Sequence, residues 1–261
     1  MTFQTIEFEQ ADGIAKLVLN RPDKLNSFNN LMHEELRSCL QSVSDDQRIR
    51  CLLITGNGRG FCAGQDLGDR EVSAESIDLG ESIEKNYNPL IRKLYKLEIP
   101  VICAVNGVAA GAGANFALAC DIVLAARSAS FIQSFCKIGL IPDCGGSWIL
   151  PRLVGHSRAM ALAMLGDKIS AEQAQSWGMI WQCLDDEQLM PEAQKLAQHL
   201  ATQPTKGLGY IKRAMQSSST NTLDEQLDLE RDLQRLAGGT QDFREGVDAF
   251  MQKRDPEFRG E

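Results

Sequence analysis

Two glycine-rich segments and one isolated aspartate carry the residues best suited to chemistry in this chain. The segments are 60–67, which reads GFCAGQDL, and 106–115, which reads NGVAAGAGAN. Each ends an apolar strand-like stretch and precedes a predicted helix, so unpaired backbone N–H groups lie where a ligand oxygen can approach them. Asp143 lies in a third turn, LIPDCGGS at 140–147. The pattern predicts an enzyme that stabilises an enolate with two backbone donors and moves a proton with one carboxylate.

Simpler interpretations of these residues stay open. Either glycine segment alone is well explained as a tight turn, and Asp143 has the position of a helix N-cap that serves stability. Cys144 beside it is a candidate nucleophile at a helix start, although no histidine lies near it in the sequence to act as its base. Asp66 and Asp121 also have the positions of turn or cap residues.

The spacing of other residues argues against several common sites. The segment that begins at Gly111 lacks the third glycine of a dinucleotide fingerprint, and 56–60 lacks the lysine of a phosphate loop. His33, His156 and His199 are scattered, so we expect no metal site and interpret all three as surface or packing residues. No serine has the Gly-x-Ser-x-Gly context of a hydrolase nucleophile.

Composition indicates a globular protein that has one large domain or one domain with a small appendage, because 43% of its 261 residues are hydrophobic. A net charge of −8 argues against nucleic-acid and anionic-membrane partners. The eight cysteines contain no Cys-x-x-Cys pair, and 1–10 lacks a signal-peptide pattern, so we expect a reducing cytoplasm. The apolar region 100–126 is interrupted by glycines and Asp121, which favours buried elements over a membrane span.

The elements that must position these residues follow a repeated pattern. Alternating apolar residues predict two strands that are joined by a hairpin at Asp12-Gly13. Helical spacing over 28–43 then precedes a buried strand at 51–55. The pattern recurs as helix, strand, helix and strand at 79–97, 101–105, 111–120 and 122–125. This alternation predicts an α/β protein with a mostly parallel sheet.

The last third of the chain is predicted to be helical. Capping patterns at 170–173 and 222–225, together with Pro204, mark three helix starts. Two apolar stripes at helical spacing are wide enough to pack on the core or on a neighbouring subunit. They are Leu189, Ala193, Leu196 and Leu200 in one helix, and Phe243, Val247, Phe250 and Met251 in another.

The chain resembles the enoyl-CoA hydratase/isomerase, or crotonase, superfamily over essentially its full length. The motifs that carry the resemblance are Asn20-Arg21-Pro22 with Asn26-Ser27, the loop 61–67, the run 105–113, and 139–142 with Gly145-Gly146. The resemblance implies a spiral of strand-strand-helix turns, which we place at 1–200 with the CoA site and the active site. It implies that 201–261 form helices for packing and trimerisation. The implied substrates are acyl-CoA thioesters, with no separate cofactor and no metal.

The resemblance also implies roles for single residues. It assigns the two donors of an oxyanion hole to the backbone N–H groups of Gln65 and Ala112, and the acid/base role to Asp143. Arg21 and Lys24 are implied contacts to the phosphates or adenine of CoA. The other implied substrate-binding residues are Ala63, Asp66, Leu67, Gly111, Phe135, Ile141 and, toward the CoA of an adjacent subunit, Lys253.

Two departures from the family pattern separate this chain from the hydratases. Hydratases of the family hold a water between two glutamates, and the matching positions here are Asn115 and Phe135. Neither side chain can act as a base at neutral pH, whereas Asp143 stands at the place that isomerase branches use. We expect an apolar wall of Phe135, Ile141 and Trp148 to raise the proton affinity of this carboxylate.

A narrower resemblance concerns the substrate. The segments 86–90, 139–148 and 227–232 are similar to the branch of the family that converts 2-(1,2-epoxy-1,2-dihydrophenyl)acetyl-CoA to oxepin-CoA and shifts double bonds from β,γ to α,β. An enoyl-CoA hydratase and a non-catalytic acyl-CoA-binding subunit are the alternatives. We expect residues in 70–97 and in the helical tail to form the acyl pocket, and the protein to be a homotrimer or a dimer of trimers.

Overall fold

The computed structural model describes residues 3–69 and 78–261, and these residues form ten strands in two sheets. The strands are β1 (Ile6–Ala11), β2 (Ile14–Leu19), β3 (Cys51–Gly56), β4 (Gly60–Cys62), β5 (Val101–Val105), β6 (Val108–Ala110), β7 (Ile122–Ala126), β8 (Ser130–Ile132), β9 (Lys168–Ser170) and β10 (Gln182–Leu184). The larger sheet has the order β1-β2-β3-β5-β7-β10, and the smaller has β4-β6-β8-β9. Only the pairs β1-β2 and β8-β9 are antiparallel among these strands.

Three successive turns of the chain, from β3 to β8, each contribute one strand to each sheet. The strands β3, β5 and β7 lie in the larger sheet, and β4, β6 and β8, which follow them, lie in the smaller one. Helical segments connect one turn to the next. This arrangement confirms the predicted α/β class and the spiral of strand-strand-helix turns. Because β4 and β6 are parallel neighbours, the loops that follow them start at the same edge of the sheet.

The helices lie close to the predicted positions. They are α1 (Asn30–Asp45), α2 (Leu79–Ser82), α3 (Asn88–Lys96), α4 (Ala112–Leu118), α5 (Gly146–Val154), α6 (His156–Leu165), α7 (Ala171–Ser176), α8 (Asp186–Ala201), α9 (Thr205–Ser217), α10 (Leu223–Gly238) and α11 (Gln241–Gln252). A π-helical turn, Ile83–Tyr87, joins α2 to α3 within the helix expected at 79–97. The predicted capping box is complete at Thr222, whereas at Ser170 the structure has the hydroxyl contact alone.

The first predicted apolar stripe faces the core, and the second does not. Leu189 and Ala193 of α8 are buried, and this helix contacts β3, β5 and β7. On α11, by contrast, Phe243 and Phe250 are exposed, Phe250 to 82%. An exposed apolar face of this kind favours burial against another chain. The division of the chain at residue 200 stays a prediction.

A cluster of aromatic rings lies behind the loop that follows β4. Phe28 stacks on His33 with 5.2 Å between ring centroids and meets Tyr87 and Phe116 edge-on. The backbone N–H of Phe28 donates to the carbonyl of Gly64, a residue of that loop, at 2.8 Å. The cluster therefore supports the loop from the core side.

His33 is a packing residue, which was one of the two predicted interpretations. Its side chain is buried, and neither ring nitrogen has a hydrogen-bond partner among residues 3–69 and 78–261. Burial, together with the positive charge of Arg37, lowers the pKa of His33 from its ordinary 6.5 to about 4. The imidazole is therefore neutral in the folded protein at physiological pH.

The free energy of unfolding should fall as acid protonates His33 preferentially in the unfolded chain. The folded pKa lies near 4 and the unfolded value near 6.5, so this contribution is complete above pH 6.5 and is lost as the pH falls toward 4. Between pH 7 and pH 5 we expect His33 to account for a loss of about 2 kcal/mol. Urea unfolding of wild type and His33→Leu at both pH values, at one protein concentration, measures the difference.

The control for this measurement is His199→Leu, which removes an exposed imidazole from α8. It should keep the wild-type loss of stability between the two pH values. An equal pH dependence in wild type and His33→Leu would contradict the assignment.

Candidate active site

The loop that follows β4 leaves one backbone N–H group without a partner. Gly64 has φ +90°, a conformation that glycine adopts readily. Its carbonyl accepts from the Phe28 N–H at 2.8 Å, and the Asp66 N–H donates to the Phe28 carbonyl at 2.9 Å, while Ala63 donates to Leu25. The N–H of Gln65 lies between these fixed peptide groups and has no acceptor within the described part of the chain.

The loop that follows β6 brings a second such group close by. Gly111 has φ +52° and donates its N–H to Ile132, and Ala112 is the first residue of α4. The Ala112 N–H has no acceptor among the residues described, as is usual in the first turn of a helix. A Cβ atom placed on Gly64 would lie 3.5 Å from the Ala112 nitrogen and 2.9 Å from the Ala110 carbonyl oxygen. The two loops predicted to carry the donors therefore pack against each other.

Phe135 covers one side of the second loop. Its side chain is buried, and a Cβ atom on Gly111 would lie 3.7 Å from its Cζ atom. An apolar ring, which cannot hydrogen-bond a water, therefore lies at the position that the family resemblance matches to a glutamate of the hydratases.

Asp143 is in a turn with two left-handed residues after it, Cys144 with φ +50° and Gly145 with φ +73°. Gly145 is the N-cap of α5, and no side chain caps this helix. The interpretation of Asp143 as an N-cap is therefore wrong. Because of the two left-handed residues, the helix begins too far along the chain for the Asp143 side chain to cap it. The Oδ1 atom of the carboxylate is shielded from solvent.

The structure does not support Cys144 as a nucleophile. Its thiol is buried, and burial together with the neighbouring Asp143 raises the pKa of Cys144 far above its ordinary range. A thiolate, which is the nucleophilic form, is strongly disfavoured there.

Two buried carboxamides connect α4 to the turn that holds Asp143. The Nδ2 atom of Asn115 donates to the Asp143 carbonyl at 2.8 Å, and the Nε2 atom of Gln133 donates to the Asn115 Oδ1 at 2.8 Å. One short helix thus carries the Ala112 N–H and a direct hydrogen bond to the Asp143 backbone. Gln133 could not be identified from the sequence, because nothing there indicates that residues 18 positions apart meet.

The two cations predicted to contact CoA differ in their surroundings. Arg21 lies 2.9 Å from the Asp66 carboxylate and donates to the Ser27 carbonyl, so its guanidinium already has partners. Burial alone would raise the pKa of Asp66, but the hydrogen bond from Arg21 holds it below its ordinary value. Asp66 therefore has the structural role that was its alternative interpretation. Lys24 is exposed and open to an anionic ligand.

Several predicted residues are not brought together by a single chain. Ile141 is 81% exposed, and Trp148 is partly exposed and packs edge-on against Tyr95. Of the predicted apolar wall, only Phe135 is buried within the single chain, and the parts of Ile141 and Trp148 in that wall stay predictions. Leu67 is also exposed. Lys253 ends α11 on the surface, with φ +55°, and its side chain forms no hydrogen bond or ion pair with the described residues.

An apolar cavity of about 270 Å³ opens beside Gly145, two residues from Asp143. It lies between α3 and α5, and the side chains of Ile91, Tyr95, Trp148 and Ile149 line it. Its α3 side falls within the range predicted for the acyl pocket. Residues 70–77 of that range lie outside the described residues.

The other candidate groups have structural roles. Asp121 accepts hydrogen bonds from the Val101 N–H and the Lys212 ammonium, both at 2.8 Å.

Within 3–69 and 78–261, no cluster of three or more His, Cys, Asp or Glu residues could hold a metal ion. No helix in this part of the chain combines the length and the apolar character of a membrane span.

Comparison with known proteins agrees with this geometry. The family model described as enoyl-CoA hydratase/isomerase matches residues 9–261. The chain belongs to the enoyl-CoA hydratase/isomerase family. The resemblance inferred from the motifs is thereby confirmed.

Relatives within the enoyl-CoA hydratase/isomerase family carry both activities in their names. The chain is 64% identical over 250 residues to the 1,2-epoxyphenylacetyl-CoA isomerase of Escherichia coli (strain K12), and 95% of each chain is covered. It is 44% identical, over 100% of both chains, to a "Probable enoyl-CoA hydratase" of Rhodobacter capsulatus. The crystal structure of an enoyl-CoA hydratase from Bacillus anthracis has a TM-score of 0.93 at 31% identity, covering 99% of this chain and 100% of that one.

The contact between the two loops predicts a loss of activity in Gly64→Ala. The new methyl group would lie 2.9 Å from the Ala110 carbonyl oxygen in a left-handed backbone, so the loop must shift and carry the Gln65 N–H away. We expect kcat to fall by about 100- to 1,000-fold, as for the loss of one oxyanion donor. Steady-state kinetics with an acyl-CoA ester measures it.

Gly155→Ala is the matched control, because Gly155 has φ +79° and no atom lies within 4 Å of the place that the methyl group of an alanine would take. It should lower stability through the same backbone strain and leave kcat unchanged. A Gly64→Ala enzyme that is as active as this control would show that the Gln65 N–H is not used.

Proposed function

We propose that this chain is an acyl-CoA isomerase that converts 2-(1,2-epoxy-1,2-dihydrophenyl)acetyl-CoA to oxepin-CoA and also shifts a β,γ double bond to α,β. The 64% identical relative named for the epoxide ester supports this substrate. One observation supports isomerisation over hydration. Asn115 and Phe135 stand at the two positions that are glutamates in the resembled hydratases, and the one carboxylate of the proposed site is Asp143. It lies in a different turn, whose backbone carbonyl accepts a hydrogen bond from Asn115.

Two backbone donors would stabilise the negative charge that develops on the thioester oxygen. The N–H groups of Gln65 and Ala112 lie in packed loops and have no partners among the described residues. Their positions are set by the backbone, so they need no rearrangement when the enolate forms. Each such donor contributes about 2.7–4 kcal/mol to the transition state.

Asp143 would move the proton. It removes hydrogen from the carbon α to the thioester and, in the allylic shift, returns it at the γ carbon. With the epoxide ester, the C–C bond shared by the epoxide and the six-membered ring breaks as the ring expands to the oxepin, and both C–O bonds are kept. Asp143 then moves the α hydrogen to the γ carbon of the ring, so that no atom is gained or lost. One carboxylate is sufficient for both reactions, since the proton is removed and returned within one substrate.

A hydratase is the second candidate, because the 44% identical relative carries that name. Its mechanism in this family needs a water held between two carboxylates. The carboxamide of Asn115 is already bonded on both sides, and Phe135 is apolar, so this arrangement disfavours hydration. A non-catalytic acyl-CoA-binding subunit would bind the ester without exchanging its α-hydrogen in D₂O.

We also propose that the enzyme acts in the cytoplasm as a trimer or a dimer of trimers, with CoA as part of the substrate and no separate cofactor. The exposed apolar side chains of α11 support assembly. Lys24 would contact the CoA bound to its own chain, and Lys253, which lies at the end of α11, the CoA of a neighbouring subunit. Ile141 would then gain its apolar surroundings from substrate or from a second chain.

Replacing the proposed acid/base tests its role directly. Asp143→Asn keeps the size of the side chain and removes the proton acceptor, so we expect kcat to fall by about 10²- to 10⁴-fold while binding of the CoA ester is retained. Turnover of a β,γ-enoyl-CoA and isothermal titration with a non-reactive acyl-CoA measure the two quantities. A variant that isomerises at nearly the wild-type rate would refute the assignment.

The choice of substrate distinguishes isomerase from hydratase. We expect turnover of the aromatic epoxide ester and of a β,γ-enoyl-CoA, but only slow hydration of crotonyl-CoA, because no second carboxylate holds the water. Values of kcat/KM for the three esters provide the comparison. Hydration of crotonyl-CoA as fast as the isomerisation would overturn the proposed reaction type.

A further inference from the structure

The turn that holds Asp143 is fixed through its backbone carbonyl. This oxygen accepts two hydrogen bonds, from the Gly146 N–H at 2.8 Å and from the Asn115 Nδ2 at 2.8 Å. The first is local to the turn, whereas the second comes from α4, in another part of the chain. Asn115 has no exposed surface, so water cannot replace this second bond.

The conformation of the turn explains why support from outside is needed. Cys144 has φ +50°, and left-handed backbone is unfavourable for a residue with a Cβ atom. A turn under such strain keeps its shape only where its surroundings determine it. The bond from Asn115 to the Asp143 carbonyl, directly before the strained residue, provides this constraint.

The helices α4 and α5 pack so closely that the position of α4 determines the position of the first residue of α5. A Cβ atom on Gly146 would lie 2.1 Å from the Asn115 Nδ2, so the carboxamide rests directly on the first residue of α5. The other side of α4 is fixed in the same way, since a Cβ on Gly113 would lie 2.3 Å from the Cys62 carbonyl oxygen. The helix that begins with the Ala112 N–H therefore also sets the place of the Asp143 turn.

Gln133 orients the Asn115 carboxamide. Its Nε2 donates to the Asn115 Oδ1, which directs the Nδ2 toward Asp143. The Gln133 Oε1 is buried and has no hydrogen-bond partner within residues 3–69 and 78–261. The Nε2 bond satisfies the buried Asn115 Oδ1, for which the described residues offer no other donor.

We propose that Asn115 is a positioning residue for the Asp143 carboxylate and that Gln133 fixes the orientation of Asn115. The inference rests on the proposed function, in which Asp143 moves the proton. In the resembled hydratases, position 115 carries a catalytic carboxylate. Here the residue at this position would instead hold the Asp143 carboxylate, which belongs to a different turn, in its place. Asn115 acts through Asp143 and does not contact the reacting atoms.

A double-mutant cycle tests this role. Asn115→Ala in the wild-type background should lower kcat by about 10- to 100-fold and change KM by less than about threefold, because a small displacement of the base impairs the proton transfer more than the binding. In the Asp143→Asn background the same substitution should change the residual kcat by less than about twofold, because a positioning residue has nothing left to position. A merely structural role would lower both by the same factor.

Thr55→Val is the matched control. It removes the buried hydrogen bond that the Thr55 hydroxyl donates to the backbone carbonyl of Ala104 at 2.8 Å in the larger sheet. This bond is of the same kind and length as the bond from Asn115 to Asp143. Its melting temperature should fall as that of Asn115→Ala does, while its kcat should stay at the wild-type value. A comparable loss of kcat in this control would mean that lost stability, and not lost positioning, explains the effect.

A second variant covers the case in which Asn115→Ala does not fold. Gln133→Leu keeps the Asn115 side chain against Gly146 and removes only the orienting donor, and it should lower kcat by about 3- to 10-fold in the wild-type background alone. Equal losses in both backgrounds would overturn the positioning role, as would an unchanged kcat in the wild-type background. An Asp143→Asn enzyme with nearly wild-type turnover would instead overturn the proposed function, so the two failures are distinct.

Discussion

The contact between two backbone turns, at Gly64 and at the start of α4, determines the geometry of the site. There is no room for a Cβ atom on Gly64 beside the Ala110 carbonyl, or on Gly113 beside Cys62. Backbone N–H groups from separate strands can approach each other this closely only where side chains are absent. The parallel pairing of β4 and β6 brings the two turns to one edge of the smaller sheet. In the proposed mechanism the α/β spiral thus serves to place peptide groups, and a backbone N–H donor does not depend on the side chain of Gln65.

Much of this arrangement could be predicted from the sequence, because it depends on local chemistry. The alternation of apolar strands and helices indicated the spiral, and the capping box at Thr222 marked a helix start correctly. The N-cap interpretation of Asp143 starts α5 too early, because an aspartate shortly before two glycines resembles an N-cap, whereas the left-handed Cys144 and Gly145 move the cap to Gly145. The bond between Gln133 and Asn115 could not be predicted, since it is a contact between distant positions with no pattern of their own.

The apolar residues of the tail show a different limit. The stripes at Leu189 and at Phe243 have the same helical spacing, yet one faces the core and the other is exposed. Periodicity identifies an apolar face but does not identify what covers it. The same applies to Ile141, which the sequence placed in an apolar wall and the single chain leaves on the surface.

The packing of Asn115 against Gly146 also bears on how this site could change during evolution. A glutamate at position 115 would add a methylene group where the backbone of α5 leaves no space, since a Cβ atom on Gly146 would already lie 2.1 Å from the Asn115 Nδ2. A longer acid in the same orientation would press on the first residue of α5, and so on the turn that carries the aspartate. The two chemistries therefore differ in the packing required at position 115 as well as in the charge that it carries.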